Sequence, residues 1–256
     1  MSSEKTKKFR KVGDKLAIKI NEILHGDCIE LLREIPDESV DLVLTDPPYG
    51  INFHSNYRTK SKLKSVEGIY NDGENNTEFL SEVVRELNRV LKNNRHFYWF
   101  TRWDRVPLQL PILEKYFAVK NAIIWKKNNW SMGDLQGAYA GQYEVILFAQ
   151  KGRRKLNEVD GRKRHPDILE FDRVPTTKLR HSHEKPEDLI EFLIKKSSNP
   201  GELVIDPFAG SGTTAVCAKR LNRNFITIEL DEYYVNVAKQ RLYEEFPELN
   251  EGEATK

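Results

Sequence analysis

The sequence predicts an α/β fold in which one mostly parallel sheet of seven strands has helices on both faces. Short runs of β-branched and aromatic residues alternate with amphipathic helical patterns, which favours a parallel sheet covered by helices. The length of 256 residues suffices for one such domain with a well-buried sheet. A hydrophobic content of 39% and a charged content of 31% are typical of a soluble globular protein.

Each predicted element follows from the spacing of its apolar residues. The segments with strand patterns are, in chain order, Ala17–Leu24, Val40–Thr45, His96–Phe100, Ala122–Trp125, Glu144–Ala149, Leu203–Asp206 and Asn224–Glu229. The segments with apolar residues at helical spacing are Glu78–Leu91, Pro186–Ser197, Thr213–Leu221 and Asp231–Phe246. We expect these elements to form a single domain that spans residues 1–256.

Two segments show neither pattern. Ile51–Asn76 is polar and rich in Asn, Ser and Lys, so we expect a mobile loop there. Lys151–Ser182 is basic and irregular, with glycines and prolines that break regular structure. Residues 1–12 and 248–256 have the composition of frayed termini.

Composition excludes several classes of protein. The sequence has no run of eighteen apolar residues, and the lysine-rich start lacks the apolar core of a secretory signal. Cys28 and Cys217 are far apart in the chain and have no histidine at metal-ligand spacing. We therefore expect a cytoplasmic protein without a disulfide framework or a metal site.

The charge distribution is uneven although the net charge is only +2. Lys151–Lys185 holds eleven Lys and Arg against six Asp and Glu, whereas Glu229–Lys256 holds eight acids against three bases. A basic middle and an acidic tail suit a protein that lays one face on a polyanion. An ordinary solvated surface gives the same pattern, so charge alone does not decide between the two.

A glycine-rich turn follows the strand Leu203–Asp206, in the sequence Pro-Phe-Ala-Gly-Ser-Gly-Thr-Thr. Glycines let the backbone approach a ligand, and the free N–H groups at a helix start favour an anionic group. The next strand ends in Glu229, 17 residues after Gly212, where a carboxylate can accept hydrogen bonds from ribose hydroxyls. The order of strand, loop, helix, strand and acid predicts a cofactor with an adenosine moiety.

NAD is the alternative cofactor, because Gly210, Gly212 and Ala215 also fit the dinucleotide fingerprint. A dinucleotide fold needs several more strands after the ribose-binding acid. After Glu229 this chain has one helix and a tail, so the rest of the sheet must come from the N-terminal side. This permuted order makes NAD the weaker alternative.

The strand Val40–Thr45 ends in a second motif, Asp46-Pro47-Pro48-Tyr49. The two prolines hold the backbone extended, so that the Asp46 carboxylate and the carbonyls of Asp46 and Pro47 stand as acceptors in fixed positions. Acceptors that bind both hydrogens of an aromatic amine localise its lone pair, and preorganised acceptors do so at no reorganisation cost. Tyr49 can stack on an extruded base, which offsets part of the cost of unstacking it. Proline also simply ends strands. However, an acid, two prolines and a tyrosine in a row are rare in a turn that only ends a strand.

With both motifs in this order, the chain resembles the beta class of DNA amino-methyltransferases of restriction-modification systems and orphan methylases. The resemblance covers roughly Ile20 to Leu242. It implies a Rossmann-like S-adenosylmethionine-dependent methyltransferase fold with permuted motif order. It also implies methylation of an exocyclic amino group in DNA by base flipping.

The resemblance assigns site residues one by one. The catalytic set is Asp46, Pro47, Pro48 and Tyr49. The set that would hold S-adenosylmethionine is Asp27, Cys28, Asp46, Lys185, Asp206, Pro207, Phe208, Ala209, Gly210, Ser211, Gly212, Thr213, Thr214, Glu229 and Leu230. Within this set the family places Asp27 at the adenine amino group, Glu229 at the ribose and Lys185 at the methionine carboxylate. It places Thr213 and Thr214 at the methionine end of the cofactor.

The family places its target-recognition segment before Lys185, and here that interval is only about thirty residues. We expect this short insertion, 151–182, and the loop 51–76 to share DNA contact. The predicted DNA-binding residues are Phe53, Arg58, Lys60, Arg153, Arg154, Arg162, Lys163 and Arg164. The family often dimerises and includes the methylases of restriction-modification systems, so a homodimer and a cognate restriction endonuclease are candidate partners besides DNA.

An acid before Pro-Pro-Tyr is typical of family members that methylate adenine N6, whereas serine or threonine is typical of cytosine N4. Asp46 therefore favours adenine, with cytosine N4 as the alternative. An RNA or protein-amide methyltransferase is disfavoured because those enzymes usually have the cofactor loop first. A non-catalytic binding module is disfavoured because both motifs are complete.

Overall fold

The computed structural model describes residues 19–49, 76–130, 136–181 and 183–249, and within these ranges eight strands form one sheet. The strands are β1 (Glu22–His25), β2 (Val40–Thr45), β3 (Leu91–Thr101), β4 (Ala118–Lys126), β5 (Tyr143–Lys151), β6 (Ile168–Glu170), β7 (Leu203–Asp206) and β8 (Asn224–Glu229). The helices are α1 (Cys28–Glu34), α2 (Thr77–Val90), α3 (Val106–Glu114), α4 (Glu187–Ser197), α5 (Thr213–Arg220) and α6 (Glu232–Glu245), followed by a short 3-10 helix at Pro247–Leu249.

The strands lie in the order β1-β8-β7-β2-β3-β5-β4-β6. All neighbouring pairs are parallel except the two that β5 makes, with β3 and with β4. The predicted α/β class and mostly parallel sheet are therefore confirmed, with one strand more than the seven expected. The permuted order is also visible, because β7 and β8, late in the chain, lie between β1 and β2.

Helices cover both faces of the sheet, as predicted. One buried cluster contains side chains of α1, α2 and α3, and the other contains side chains of α4, α5 and α6. Strand β2 is buried at all six positions, with Val43 in the first cluster and Leu42 and Leu44 in the second. Burial on both faces is why the middle of this strand, residues 42–44, is continuously apolar rather than alternating.

The structure adds elements that the sequence patterns did not predict. Helix α1 has only seven residues, α3 contains Pro111 in its interior, and β6 has three residues. Residues 17–18 of the expected first strand and 51–75 of the expected loop lie outside the described residues. None of the described helices has the length and apolarity needed to cross a membrane.

Candidate active site

A cavity of about 300 Å³ lies where β2 and β7 end side by side. The two strands are parallel neighbours, with Leu42 opposite Val204 and Val43 opposite Ile205. The segments that follow them therefore emerge at the same edge of the sheet, the usual position of a ligand site in open α/β sheets. Tyr49 after β2 and Phe208 after β7 both line this cavity.

The cavity brings together nearly all of the predicted catalytic and cofactor residues. Those in its wall are Asp27, Cys28, Asp46, Pro47, Pro48, Tyr49, Lys185, Asp206, Pro207, Phe208, Ala209, Gly210, Ser211, Thr213, Thr214, Glu229 and Leu230. Gly212 is the exception, because it packs beneath the loop against helix α6. A Cβ atom on Gly212 would lie 2.8 Å from the Cβ of Ala238, so this position requires glycine for space as well as for its φ of 77°.

Asp46 is held from both sides. The Tyr49 hydroxyl donates to Asp46 Oδ1 at 2.5 Å, and Lys185 Nζ donates to Asp46 Oδ2 at 2.5 Å. Pro47 and Pro48 are buried, and the carbonyl of Pro48 accepts a hydrogen bond of 2.9 Å from the Asn76 side chain. The turn after β2 thus holds its carboxylate in one orientation before any substrate arrives. Burial, reinforced by the Asp46 charge, raises the pKa of Tyr49 well above its usual value and keeps the phenol neutral.

Lys185 has partners other than the one expected. Its ammonium contacts Asp46 and also Glu144 Oε2 at 3.1 Å, and it lies 5.2 Å from the centre of the Phe100 ring. Burial alone would lower the pKa of Lys185, but the Asp46 and Glu144 carboxylates outweigh burial and raise it. Lys185 is therefore paired with two carboxylates of the protein, those of Asp46 and Glu144.

Glu144, at the start of β5, is a site residue that the sequence reasoning missed. Besides Lys185 it accepts from Lys127 Nζ at 2.6 Å. Burial would raise the pKa of Glu144, yet the two ammonium groups outweigh burial and lower it to about 2. The available signal was the single acid of strand Tyr143–Lys151, directly before the apolar run of residues 145–149.

The turn after β7 is held by its own side chains. The Asp206 carboxylate accepts from the backbone N–H of Phe208 at 3.1 Å and from the Thr214 hydroxyl at 2.6 Å. The Thr214 hydroxyl thus donates its one proton to Asp206. Burial raises the pKa of Asp206 to about 6, against the lowering effect of these hydrogen bonds, and the nearby Asp46 charge adds to the rise.

Glu229 ties the glycine loop to the end of β8. Its Oε2 accepts from the backbone N–H of Gly210 at 2.8 Å and its Oε1 from that of Asp231 at 3.0 Å. Each carboxylate oxygen has a second acceptor position that ribose hydroxyls can use. Asp27 likewise combines a structural contact with a place in the cavity wall. Its carboxylate caps helix α1 by accepting from the N–H of Ile29 at 2.8 Å, and the residue also lines the cavity.

The wall of the cavity is acidic. Among the described residues it carries six carboxylates and one lysine. The carboxylates are those of Asp27, Asp46, Glu184, Asp206, Glu229 and Asp231. Such a wall attracts a cationic ligand and repels a pyrophosphate, which argues against a dinucleotide. Groups of side chains that could hold a metal ion are absent from the described residues.

Further cavity residues were not identified from the sequence. They include the aromatic residues Phe79, Phe100, His181 and Tyr234. Phe79 packs edge-on to Phe208 with ring centres 6.2 Å apart, whereas its place in the helical pattern of Glu78–Leu91 indicates only a core position. The Cγ and Nδ1 atoms of His181 lie 3.6 Å from a Cβ built on Gly210, so its ring borders the cofactor loop.

The predicted DNA-binding residues fall into two groups. Phe53, Arg58 and Lys60 lie outside the described residues. The remaining five follow β5, and because β5 runs antiparallel to β3, the chain leaves β5 at the edge of the sheet opposite the cavity.

The contacts of this basic group agree with that placement. Arg154 pairs at 3.3 Å with Glu202, which directly precedes β7. The backbone N–H of Arg153 donates to Asn94 near the start of β3, and the carbonyl of Lys163 accepts from Lys196 near the end of α4. Arg162 and Arg164 flank Lys163 in the chain. The structure therefore does not bring Arg153, Arg154, Arg162, Lys163 and Arg164 to the cavity.

The second half of the insertion does return to the cavity. Strand β6 is parallel to β4 and carries the chain toward the same edge as β2 and β7. His181 then lines the cavity, and Arg180 before it pairs with Glu184 at 3.3 Å. The basic side chains of residues 171–181 are thus nearer to the cavity than those of residues 153–164.

Residues 40–240 match the model of a family described as DNA methylase. Two curated proteins are similar over most of this chain. Type II methyltransferase M.HinfI of Haemophilus influenzae is 30% identical over 262 aligned positions, covering 91% of this chain and 71% of that protein. DNA adenine methyltransferase YhdJ of Escherichia coli K12 is 30% identical over 252 positions, covering 86% and 82%.

Solved structures share the fold. The M1.HpyAVI–SAM complex is 28% identical and has a TM-score of 0.67, covering 86% of this chain and 98% of that one. The cytosine-N4-specific PvuII DNA methyltransferase is 18% identical with a TM-score of 0.68, covering 86% and 87%, and its likeness concerns the fold alone.

Proposed function

The chain belongs to the family of N6/N4 DNA methylases, and from that premise we propose that it transfers the methyl group of S-adenosylmethionine to adenine N6 in a specific DNA sequence. The observation that carries the proposal is the shared cavity. The Asp46–Tyr49 turn and the glycine loop after β7 meet at the ends of two adjacent parallel strands. A methyl donor on one motif and an amine on the other would lie side by side.

The cavity suits S-adenosylmethionine by charge and by shape. When bound, this cofactor supplies a methyl group activated by a sulfonium cation. The acidic wall complements that cation, and the carboxylate of Glu229 can accept from the ribose hydroxyls. The N–H groups at the start of α5 suit the carboxylate of the methionine moiety. The solved relative M1.HpyAVI supports the assignment, because its structure is a complex with the same cofactor.

The chain's own residues prepare the amine. The Asp46 carboxylate, oriented by Tyr49 and Lys185, accepts one amino hydrogen, and a backbone carbonyl of the Asp46-Pro47 segment accepts the other. The nitrogen lone pair is then directed out of the plane of the base. Tyr49 offers a flat face for the extruded base, and such stacking contributes roughly 1–3 kcal/mol. The rigid turn contributes to the rate mainly by positioning the amine, since its acceptor groups need no rearrangement.

Adenine N6 is the proposed target because Asp46 precedes the two prolines and because the similar protein YhdJ is named as an adenine methyltransferase. Both amines need the same pair of acceptors, so the geometry itself separates adenine from cytosine only weakly. Cytosine N4 is therefore the outcome against which the proposal is tested.

The test is transfer of a tritiated methyl group from labelled cofactor to oligonucleotides, followed by digestion to nucleosides. We expect the label in N6-methyl-2′-deoxyadenosine at one sequence context. Recovery of N4-methyl-2′-deoxycytidine alone would overturn the choice of base, and the absence of label in any DNA would overturn the function. Single-stranded and RNA oligonucleotides serve as matched substrates.

The DNA surface is proposed at the cavity edge. Trp103 and Trp130 follow the ends of β3 and β4 at that edge and are 67% and 68% exposed, while Lys178 and Arg180 lie in the segment that returns to the cavity. Large exposed aromatic and basic side chains suit stacking on bases and contact with phosphates. A homodimer and a cognate endonuclease are proposed from the family resemblance alone, and a cytoplasmic location from the composition of the sequence.

A further inference from the structure

One face of helix α6 packs against the glycine-rich turn after β7, residues 207–214, which we call the cofactor loop. The side chains of this face are Tyr234, Ala238 and Arg241. Their spacing of four and three residues puts them in line along the helix. Tyr234 lines the cavity, Ala238 meets Gly212, and Arg241 reaches the residues on either side of Gly212.

Arg241 is a buried cation with many partners. Its relative exposure is 5%. Its guanidinium donates to the carbonyl of Ser211 at 3.2 Å, to the hydroxyl of Thr213 at 2.9 Å and to Glu187 Oε1 at 2.5 Å. A planar guanidinium with five N–H donors can hold such a set in one geometry, whereas a lysine ammonium cannot. The loop is therefore fixed from the side opposite the cavity.

Arg241 also connects the loop to the catalytic turn. It pairs at 3.2 Å with Glu184, whose side chain is 2% exposed and which directly precedes Lys185. Lys185 in turn contacts Asp46. Chain segments from three parts of the sequence thus meet at one guanidinium: the cofactor loop, the segment of Lys185 and helix α6.

Close packing between α6 and the loop is an independent sign of the same arrangement. A Cβ on Gly212 would lie 3.2 Å from the Cα of Ala238 as well as 2.8 Å from its Cβ. The loop therefore cannot move toward α6, and the hydrogen bonds of Arg241 keep it from moving away. Because the loop is held from both directions, the loop residues that line the cavity have few accessible conformations.

We propose that Arg241 is a positioning residue for the cofactor loop, setting the affinity for the methyl donor without touching it. The proposal rests on the proposed function, since it concerns the same cavity. Loss of the guanidinium releases Ser211 and Thr213, so the loop must be ordered again each time the cofactor binds. The segment of Lys185 loosens with it, because Glu184 loses the same partner.

The experiment compares Arg241→Gln with Arg220→Gln in the full chain. Arg220 is the matched control, because it pairs with Glu187, Glu191 and Glu245 on the same helices but is 34% exposed and contacts no residue of the loop. We expect calorimetry to show the Kd for S-adenosylmethionine raised about tenfold or more in Arg241→Gln, the worth of one charged hydrogen bond. In Arg220→Gln we expect a lower melting temperature and a Kd changed less than about twofold.

DNA affinity in the absence of cofactor is the second measurement. It separates an effect on the cofactor loop from a general loss of folded structure. We expect Arg241→Gln to bind DNA like the wild type and to show a KM for the cofactor raised more than kcat is lowered. Equal cofactor Kd values in Arg241→Gln and wild type would overturn the proposal, as would an equal rise of the Kd in Arg220→Gln. If the wild type itself binds no S-adenosylmethionine, the proposed function fails instead.

Arg241→Lys covers the case in which Arg241→Gln does not fold. Lysine keeps the buried charge for Glu184 and Glu187 but cannot hold Ser211 and Thr213 at the same time. We expect a folded protein whose cofactor Kd is still raised severalfold. Wild-type affinity in a folded Arg241→Lys protein would contradict the requirement for the guanidinium.

Discussion

At the scale of single residues, the site depends on how Asp46 is held. Its two carboxylate oxygens each receive a hydrogen bond, one from Tyr49 and one from Lys185. Lys185 is held in turn by Glu144, a residue on a strand that is not a neighbour of β2. An oriented acceptor is worth more in a buried cavity than in water, because no solvent has to rearrange during the reaction.

Replacement of Asp46 by alanine tests this role. We expect Asp46→Ala to bind S-adenosylmethionine with little change in Kd and to lose methyl transfer by at least about 100-fold, the usual cost of a lost preorganised hydrogen-bonding group. Calorimetry and transfer of labelled methyl groups measure the two quantities. Unchanged turnover would remove Asp46 from the mechanism. Asp37→Ala is a suitable control, because the Asp37 side chain is 74% exposed and does not line the cavity.

Asp206 makes the stability of the protein depend on pH. Its pKa is raised from 3.8 to about 6 because it is buried, so the folded state holds its proton more tightly than the unfolded state does. Its contribution to stability is complete below about pH 4 and is lost as the pH rises through 6. The total loss is of the order of 3 kcal/mol.

Asp206→Asn removes this ionisation. We expect the free energy of unfolding of Asp206→Asn, relative to wild type, to grow by up to about 3 kcal/mol between pH 4 and pH 7. Urea titrations of both proteins across this range measure the difference. A difference that does not change with pH would show that Asp206 is not held in its protonated form by the fold.

At the scale of elements, the sequence patterns located the strands and turns that build the site. They did not predict contacts that depend on which strands pair in the sheet. The apolar strands β2 and β7 and their motifs are local features, and the rule that parallel strand ends share an edge brings them together. The partners of Lys185 are not local, because Glu144 reaches it from β5, beyond β3 in the sheet order. Helix α3 was missed because Pro107 and Pro111 are read as breakers, although the first lies in the first turn, where proline is accepted.

The two glycines of the cofactor loop differ in what they require. Both have positive φ, 51° at Gly210 and 77° at Gly212, so alanine is strained at either position. Gly212 alone is also in contact with Ala238, at a distance that leaves no room for a Cβ, whereas the nearest atom to a Cβ on Gly210 is 3.6 Å away.

We therefore expect Gly210→Ala to lose about 1–2 kcal/mol of stability and Gly212→Ala to lose more, together with cofactor affinity. Denaturation midpoints and calorimetric Kd values of the two variants make the comparison, with each serving as the control for the other. Equal effects at the two positions would show that the packing against α6 does not constrain the loop.

At the scale of the whole molecule, the direction of one strand decides which basic residues can reach DNA at the site. Read as one more parallel strand, β5 would lead into Lys151–Ser182 at the cavity edge. In the structure β5 is antiparallel, so residues 153–163 emerge at the opposite edge and only the later part of the segment returns. Strand direction is set by pairing across the sheet, which local sequence patterns do not contain.

Salt dependence of DNA binding distinguishes the two groups of bases. We expect Lys178→Gln combined with Arg180→Gln to reduce the slope of log K against log salt by up to about 2, one phosphate contact per residue. Arg162→Gln combined with Lys163→Gln should leave the slope unchanged. Fluorescence anisotropy with a short duplex at several salt concentrations measures both. The reverse result would place the DNA on the far edge of the sheet.

In the proposed reaction, one cavity holds a methyl donor and an extruded base nitrogen in line, each on its own strand end. The most direct measurement is a crystal structure of the chain with a non-reactive cofactor analogue and a duplex that contains the target sequence. We expect the base stacked on Tyr49, with its exocyclic nitrogen about 3–3.5 Å from the position of the transferable group. A base that remains in the duplex, or DNA bound at the amino ends of β2 and β7, would contradict transfer in this cavity.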